Sequence, residues 1–321
     1  MSVANSFQSG GWGTPRALLA DDARMARLGR RLGLVAVLLL LALVAYYVYD
    51  RYYVTVESPV DRAVRTLEDR VRASPNDVDL RMQVASGYVE QQRFDQAIGQ
   101  YEEVLKLRDG WVPALFAEAG VEYARGNQAR AEELYRRIAD KYANDQFRYA
   151  TKELQVVYYR LGQLALAGGR SDEAASRARE SLLVDPTNGD ALYLLGQSED
   201  ALGHSATASD AYLRATSFDP NFRVAFAALE RSATAAGNSQ LAAYAQGMQQ
   251  YASGDFQAML GTFQTLVADA PDFARGYEGL GLAYAKHNNA DEAISAFRSA
   301  LGRDPQLMLS RWSLHSLGVE D

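Results

Sequence analysis

The stretch 274–305, ARGYEGLGLAYAKHNNADEAISAFRSALGRDP, decides the fold. It sets Leu280-Gly281 in one helical pattern, Asn288 at a break, Ala293 and Phe297 four residues apart in a second pattern, and Pro305 as a stop. The same features recur upstream. Leu195-Gly196 and Leu161-Gly162 match Leu280-Gly281, while Ala97/Tyr101, Ala131/Tyr135 and Ala208/Tyr212 match Ala293/Phe297. The break positions Gln92, Gly126, Gly169, Gly203, Gly237, Gly254 and Asn288 follow one another at 34, 43, 34, 34, 17 and 34 residues. Pro186 to Pro220 and Pro271 to Pro305 are also 34 apart, and Asp-Pro closes three units at 185–186, 219–220 and 304–305.

A fixed period of this length marks stacked helix pairs, because one pair cannot bury its apolar face alone. Gly and Ala let helix backbones approach, and large side chains three and four apart fill the seam. Gly or Asn at the break supplies the left-handed residue that ends the first helix, and Pro stops the second. Two spacings depart from the period. The 43 hides nine extra residues near Tyr142, which either lengthen the helix running to Ala167 or form a protruding loop. The 17 makes 239–253 a half-repeat, able to serve as second helix of one unit or first helix of the next. It marks an expected seam between 76–236 and 255–305.

On these residues the chain resembles the tetratricopeptide-repeat family, with its Leu-Gly in helix A, small-x3-aromatic in helix B and closing Pro. The resemblance covers about residues 76–305. It implies an all-α, right-handed solenoid of tetratricopeptide helix pairs, here preceded by one transmembrane helix. It also implies a concave groove that binds a protein partner through set positions of helix A. Carried onto this chain, those positions are Met82, Ser86, Phe116, Gly120, Tyr123, Tyr159, Gln163, Tyr193, Gln197 and Arg231. Family members that clamp acidic C-termini use Lys and Asn at two of these positions. Here the pairs are Met82 with Ser86, Phe116 with Gly120 and Tyr159 with Gln163, so that clamp is missing.

Before the repeats, 32–49 reads LGLVAVLLLLALVAYYVY without a charge. As a helix its 18 residues span about 27 Å, near the ~30 Å of a bilayer core. Tyrosines crowd its C-terminal end and Arg24, Arg27, Arg30 and Arg31 its N-terminal end. The positive-inside rule then puts a basic tail, 1–31, in the cytoplasm and the repeats outside it. A cleaved signal peptide would have a shorter apolar core and a small-x-small exit, whereas the exit here is Ala-Tyr-Tyr-Val-Tyr-Asp. Residues 1–13 read as a polar tail, and Thr14-Pro15 as the cap and start of a helix entering the bilayer. Residues 50–75 hold a juxtamembrane helix and linker, and 306–321 a capping helix.

Composition bounds the function. Of the 321 residues 48% are hydrophobic and 23% charged, which suits a folded chain. Arg makes up 29 of the 33 basic residues, a bias that points to a GC-rich bacterial genome and to nothing more; the expected placement, a bacterial inner membrane with periplasmic repeats, goes with the anchor and the scaffold reading. Residues 1–31 carry +3, leaving −10 for the rest, which argues against nucleic acid as a partner. With no Cys there is no thiolate metal site, thiol nucleophile or disulfide. The three His, at 204, 287 and 315, have no metal-ligand spacing, and His204 and His287 fall at interhelical turns. No phosphate loop or nucleophile elbow occurs, and Gly279-x-Gly281 belongs to the repeat. Acid pairs such as Glu102-Glu103, Glu132-Glu133 and Asp291-Glu292 read as solvated faces. The expectation is a non-enzymatic scaffold without cofactor or metal, holding a protein partner during assembly of a membrane or envelope complex. A permanent structural subunit of a larger, energy-transducing complex is the alternative. Oligomeric state is not legible.

Overall fold

The computed structural model describes residues 22–52, 58–217 and 219–319, and every regular element among them is helical. The chain divides into two units, residues 1–66 and 67–321.

In the first unit, α1 spans Asp22–Tyr52. Its segment Met25–Arg51 is the one stretch among the described residues long and apolar enough to cross a bilayer. Every side chain described along it is exposed, Leu34, Leu39 and Leu43 among them. A helix apolar on all sides has no stripe to turn toward a core, which is the pattern of a lipid-facing span. The 32–49 segment therefore lies within a longer helix. The polar tail and the Pro15 start lie outside the described residues. The next helix, α2, spans Pro59–Ala73 and crosses the division between the units. Ser58 caps it reciprocally: Asp61 N–H donates to Ser58 Oγ at 3.0 Å, and Ser58 N–H to Asp61 Oδ2 at 3.2 Å.

The second unit stacks antiparallel helix pairs. They are α3 (Val78–Glu90) with α4 (Phe94–Leu107), α5 (Val112–Ala124) with α6 (Gln128–Lys141), α7 (Lys152–Ala167) with α8 (Ser171–Val184), and α9 (Gly189–Ala201) with α10 (Ser205–Ala215). Then come α11 (Arg223–Ala235), α12 (Ser239–Ser253) and α13 (Phe256–Asp269), the pair α14 (Ala274–Lys286) and α15 (Ala290–Arg303), and a terminal α16 (Met308–Ser316). All seven aligned break positions have positive φ, from Gln92 at 58° to Gly254 at 80°. The left-handed residue turns the chain back within three residues and lets a following N–H reach a carbonyl of the preceding last turn, as Asn127 N–H does with Glu122 O at 2.9 Å.

The two departures from the period resolve differently. The nine extra residues form neither a long helix nor a single loop. Helix α7 has 16 residues against 13 in α5 and α9, and the remainder folds as turns and a 3-10 turn at Arg148–Ala150. Asp145 Oδ1 holds that turn by accepting from Phe147 N–H at 2.8 Å. The half-repeat α12 is used twice. It packs along α11 as a second helix and along α13 as a first helix. Its Gly247 meets the ring of Phe263 on α13 just as Gly196 of α9 meets Tyr212 of α10. The expected seam is accordingly not a break in the core, since one apolar cluster runs from Ala208 through Met248 to Leu314. Two further clusters, centred on Leu134 and Ala178, fill α5–α7 and α8–α10.

Candidate functional site

Helix α5 presents Phe116, Gly120 and Tyr123 at i, i+4 and i+7, one face of a 3.6-residue helix. Phe116 and Gly120 line a cleft of about 450 Å³ with Ser86 and Val89 of α3 and Phe94 and Tyr101 of α4. The Phe116 ring stands edge-on to that of Tyr135, centroids 6.3 Å apart, so its back is held by the core while its front faces the cleft. A Cβ added to Gly120 would meet nothing within 4 Å, which identifies this glycine as cleft wall rather than helix contact. Tyr101 lies beneath the cleft. Burial pushes its hydroxyl up in pKa, with a hydrogen bond to Ser86 pulling back less.

Tyr123, on the same face of α5, reaches α7. Its hydroxyl donates to Gln163 Oε1 at 3.2 Å, Arg160 Nη1 donates to the same oxygen at 2.8 Å, and Gln163 Nε2 donates to Tyr159 Oη at 2.9 Å. The Arg160 guanidinium sits 4.5 Å from the Tyr123 ring centroid and 5.6 Å from that of Tyr159. Two rings and an amide thus hold one cation, by ring quadrupole and charge-assisted hydrogen bonding. Burial, and then the field of Asp190, raise the Tyr159 pKa, so its hydroxyl remains a neutral donor.

The remaining groove positions are not drawn into these two clusters. Met82 is half-buried, and its carbonyl accepts from Ser86 Oγ at 3.0 Å. Tyr193 packs its ring 5.5 Å from Tyr212 and 5.4 Å from Phe222, which makes it a structural contact as well as a surface group. Gln197 is half-buried one turn beyond it on α9. Arg231 is exposed on α11 and donates through Nε to the Ala227 carbonyl at 3.3 Å. Sequence reasoning missed Arg160, which lies outside the family's groove positions. Its adjacency to Tyr159 and its spacing of three from Gln163 were the available signal.

Elsewhere, His204 Nδ1 lies 2.9 Å from Glu199 Oε2, and His287 Nδ1 lies 2.8 Å from the Ala283 carbonyl. Among the described residues no group of three or more His, Cys, Asp or Glu is placed to hold a metal. The structure adds buried acids that the sequence did not single out: Glu118, Glu122, Glu199 and Glu278. Glu118 has no exposed surface, and burial raises its carboxyl pKa although Arg130 Nη2 lies 2.8 Å away.

A family model described as the tetratricopeptide repeat matches residues 85–146, 159–221 and 244–307, together more than half of the chain. Among solved structures, the C-terminal part of a repeat-containing protein from Cytophaga hutchinsonii is similar at 15% identity, covering 78% of this chain and 93% of that one, with a TM-score of 0.49. The type IV pilus biogenesis factor PilW is similar at 19% identity over 74% of this chain and 98% of its own, TM-score 0.42. The MamA protein is similar at 18% identity over 61% and 92%, TM-score 0.35. No curated protein matches the chain.

Proposed function

Because this chain belongs to the tetratricopeptide-repeat family, we propose that it is a membrane-tethered, non-enzymatic scaffold whose helix-A face holds a protein partner. The single observation that carries the reading is the α5 face. Phe116 and Gly120 open onto an apolar cleft at one end, and Tyr123 joins the Arg160–Tyr159–Gln163 cluster at the other. An extended peptide laid along that face places apolar side chains in the cleft. Its carbonyls then meet the Tyr159 hydroxyl, which accepts from Gln163 and keeps its own proton to donate. Met82, Ser86, Tyr193, Gln197 and Arg231 are flanking positions of the same groove in this proposal.

The tether is α1. In this reading 1–31 is a cytoplasmic tail, 32–49 the membrane-spanning core and 50–75 the juxtamembrane segment, with repeats over 76–305 and a cap over 306–321. The arginines before the apolar run support a bacterial inner-membrane placement with the repeats on the periplasmic side. Anchoring holds the groove at high effective concentration beside membrane partners, which suits assembly of an envelope complex. The exposed Tyr46, Tyr47 and Tyr49 and the open Gly29 and Gly33 on α1 favour a second reading, a permanent subunit docked through its anchor.

Gentle detergent extraction of native membranes, capture through the C-terminus and mass spectrometry test both. A substoichiometric set of clients, lost when Arg160 is replaced, supports the scaffold. A constant-ratio set of membrane subunits, retained in that variant, supports the permanent subunit. Capture of nothing beyond the chain itself sinks both.

A further inference from the structure

A second site lies in the C-terminal half, away from the α5 face. A cavity of about 290 Å³ is closed by the turn before α9, the end of α10, α12, α14 and the start of α16. Its lining carries Thr187, Arg214, Tyr244, Arg275, Glu278 and Gln306. The volume equals that of roughly ten waters at ~30 Å³ each and stands at the small end of ligand pockets. It takes one residue-sized group and not a length of chain.

The buried acid is held on both of its oxygens. Glu278 is 1% exposed; its Oε2 accepts from Ser310 Oγ at 3.0 Å and its Oε1 from Tyr244 Oη at 3.4 Å. Arg275 Nη1 stands 3.6 Å from Glu278 Oε1, longer than a hydrogen bond, with its guanidinium 5.8 Å from the Tyr244 ring centroid. Arg214 is tied only loosely, its Nη1 3.9 Å from Asp210 Oδ2 with both side chains about half exposed or more. Two guanidinium groups and one buried acid therefore line a small cavity, with Asp210 beside Arg214 and the field of Asp304 acting on Arg275 from outside the lining. Planar forks of this kind match carboxylate bidentately.

We propose that this cavity binds a single carboxylate, carried by an acidic side chain of a peptide or by a free small acid, between Arg214 and Arg275. Glu278 favours a carboxylate over a phosphate. A carboxylate brings one charge into the cavity, whereas a phosphate brings close to two on a single group and meets stronger repulsion from Glu278. Burial raises the Glu278 carboxyl pKa, while Arg275, Ser310 and Tyr244 pull it back less.

The test uses the full chain in detergent micelles and isothermal titration with three probes: glutarate, the capped peptide acetyl-Gly-Glu-Gly-amide, and its Gln counterpart. The expected result is binding of glutarate, of the Glu peptide or of both, with the Gln peptide at least about tenfold weaker. That ratio corresponds to the loss of one charge-assisted pair. Binding of the Glu peptide assigns the site to an acidic partner segment, and binding of glutarate alone assigns it to a free acid. Arg214→Gln, which alters a half-exposed side chain outside the core, should weaken binding by about tenfold or more with helicity unchanged. Arg160→Gln, which damages the α5 groove, should leave it unchanged, so this site and the groove fail independently. Equal affinity for the Glu and Gln peptides with no glutarate binding overturns the proposal, as does full binding by Arg214→Gln.

Discussion

A Cβ placed on Gly281 of α14 would lie 2.6 Å from the ring of Phe297 on α15, so the glycine is a slot cut for that ring. The same relation recurs at Gly196 with Tyr212, and Phe263 is gripped from two sides by Gly247 and Gly279. Gly281→Ala must displace a fully buried ring, at a cost of about 1–3 kcal/mol. Gly120→Ala meets open space and gains up to about 1 kcal/mol of helix propensity. Circular-dichroism melts should move in opposite directions for the two variants; a shared direction would refute the slot.

Gln92 and Asn288 hold left-handed φ of 58° and 61° without being glycine. The conformation costs an L-residue about 1–2 kcal/mol, less for Asn, whose short polar side chain tolerates it. Gln92→Gly should raise the melting temperature, and Asn288→Gly should raise it less.

Glu278 gives the unit a pH dependence of defined sign. Burial holds its carboxyl above the ordinary range, while Arg275, Ser310 and Tyr244 pull back less. Between its unfolded pKa, about 4.3, and the raised folded value, the folded state binds more protons than the unfolded. The contribution is complete below the lower value and lost as pH rises through the upper one. The groups around Glu278 are Arg275 on its own helix, Tyr244 from α12, Ser310 from α16 and Arg214 across the cavity. Glu278→Gln should remove that part of the downward slope in a plot of melting temperature against pH. An unchanged slope would mean the carboxylate is ionised throughout.

Tyr88 Oη donates to Glu68 Oε1 of α2 at 2.7 Å, with the Arg93 guanidinium 4.4 Å from its ring centroid. Burial and that carboxylate push the hydroxyl up to about 12. Tyr88→Phe should cost about 0.5–1.5 kcal/mol. The loss should show as faster hydrogen exchange over residues 67–73, and unaltered exchange would deny the bond a role in holding α2.

Arg160→Met removes the cation shared by Tyr123 and Tyr159 and one donor to Gln163. Partner recovery in a pull-down should fall about tenfold, equivalent to roughly 1.4 kcal/mol, with helicity retained. Tyr193→Ala should behave differently and lower stability by at least about 1 kcal/mol, because its ring packs on Tyr212 and Phe222. Full recovery by Arg160→Met would remove the α7 cluster from the groove.

The repeat was legible because its chemistry is local and recurrent. A left-handed break, a small residue opposite an aromatic and a closing Pro each act within about one helix pair, so their spacing along the chain is their spacing in the fold. The break positions read from Gln92 to Asn288 all carry positive φ for that reason. The apolar helix α1 was legible for a related reason, since a run of apolar residues needs no partner to be recognised.

What needed tertiary structure was each feature that depends on two neighbours at once. The 17-residue spacing announced one surplus helix, but only packing shows α12 serving α11 and α13 together, with Gly247 against Phe263 and the core unbroken. Arg160 stands outside the family's groove positions until α5 brings Tyr123 against it. Arg275 and Glu278 stand three apart on α14, a spacing that carries no signal of burial in the sequence. They become a buried site because residues near 187, 214 and 309 close over them. Periodicity records what each helix does to the next one. Burial of a charge depends on elements 30 to 90 residues away, whose approach is set by the accumulated turn of the stack and written in no single segment.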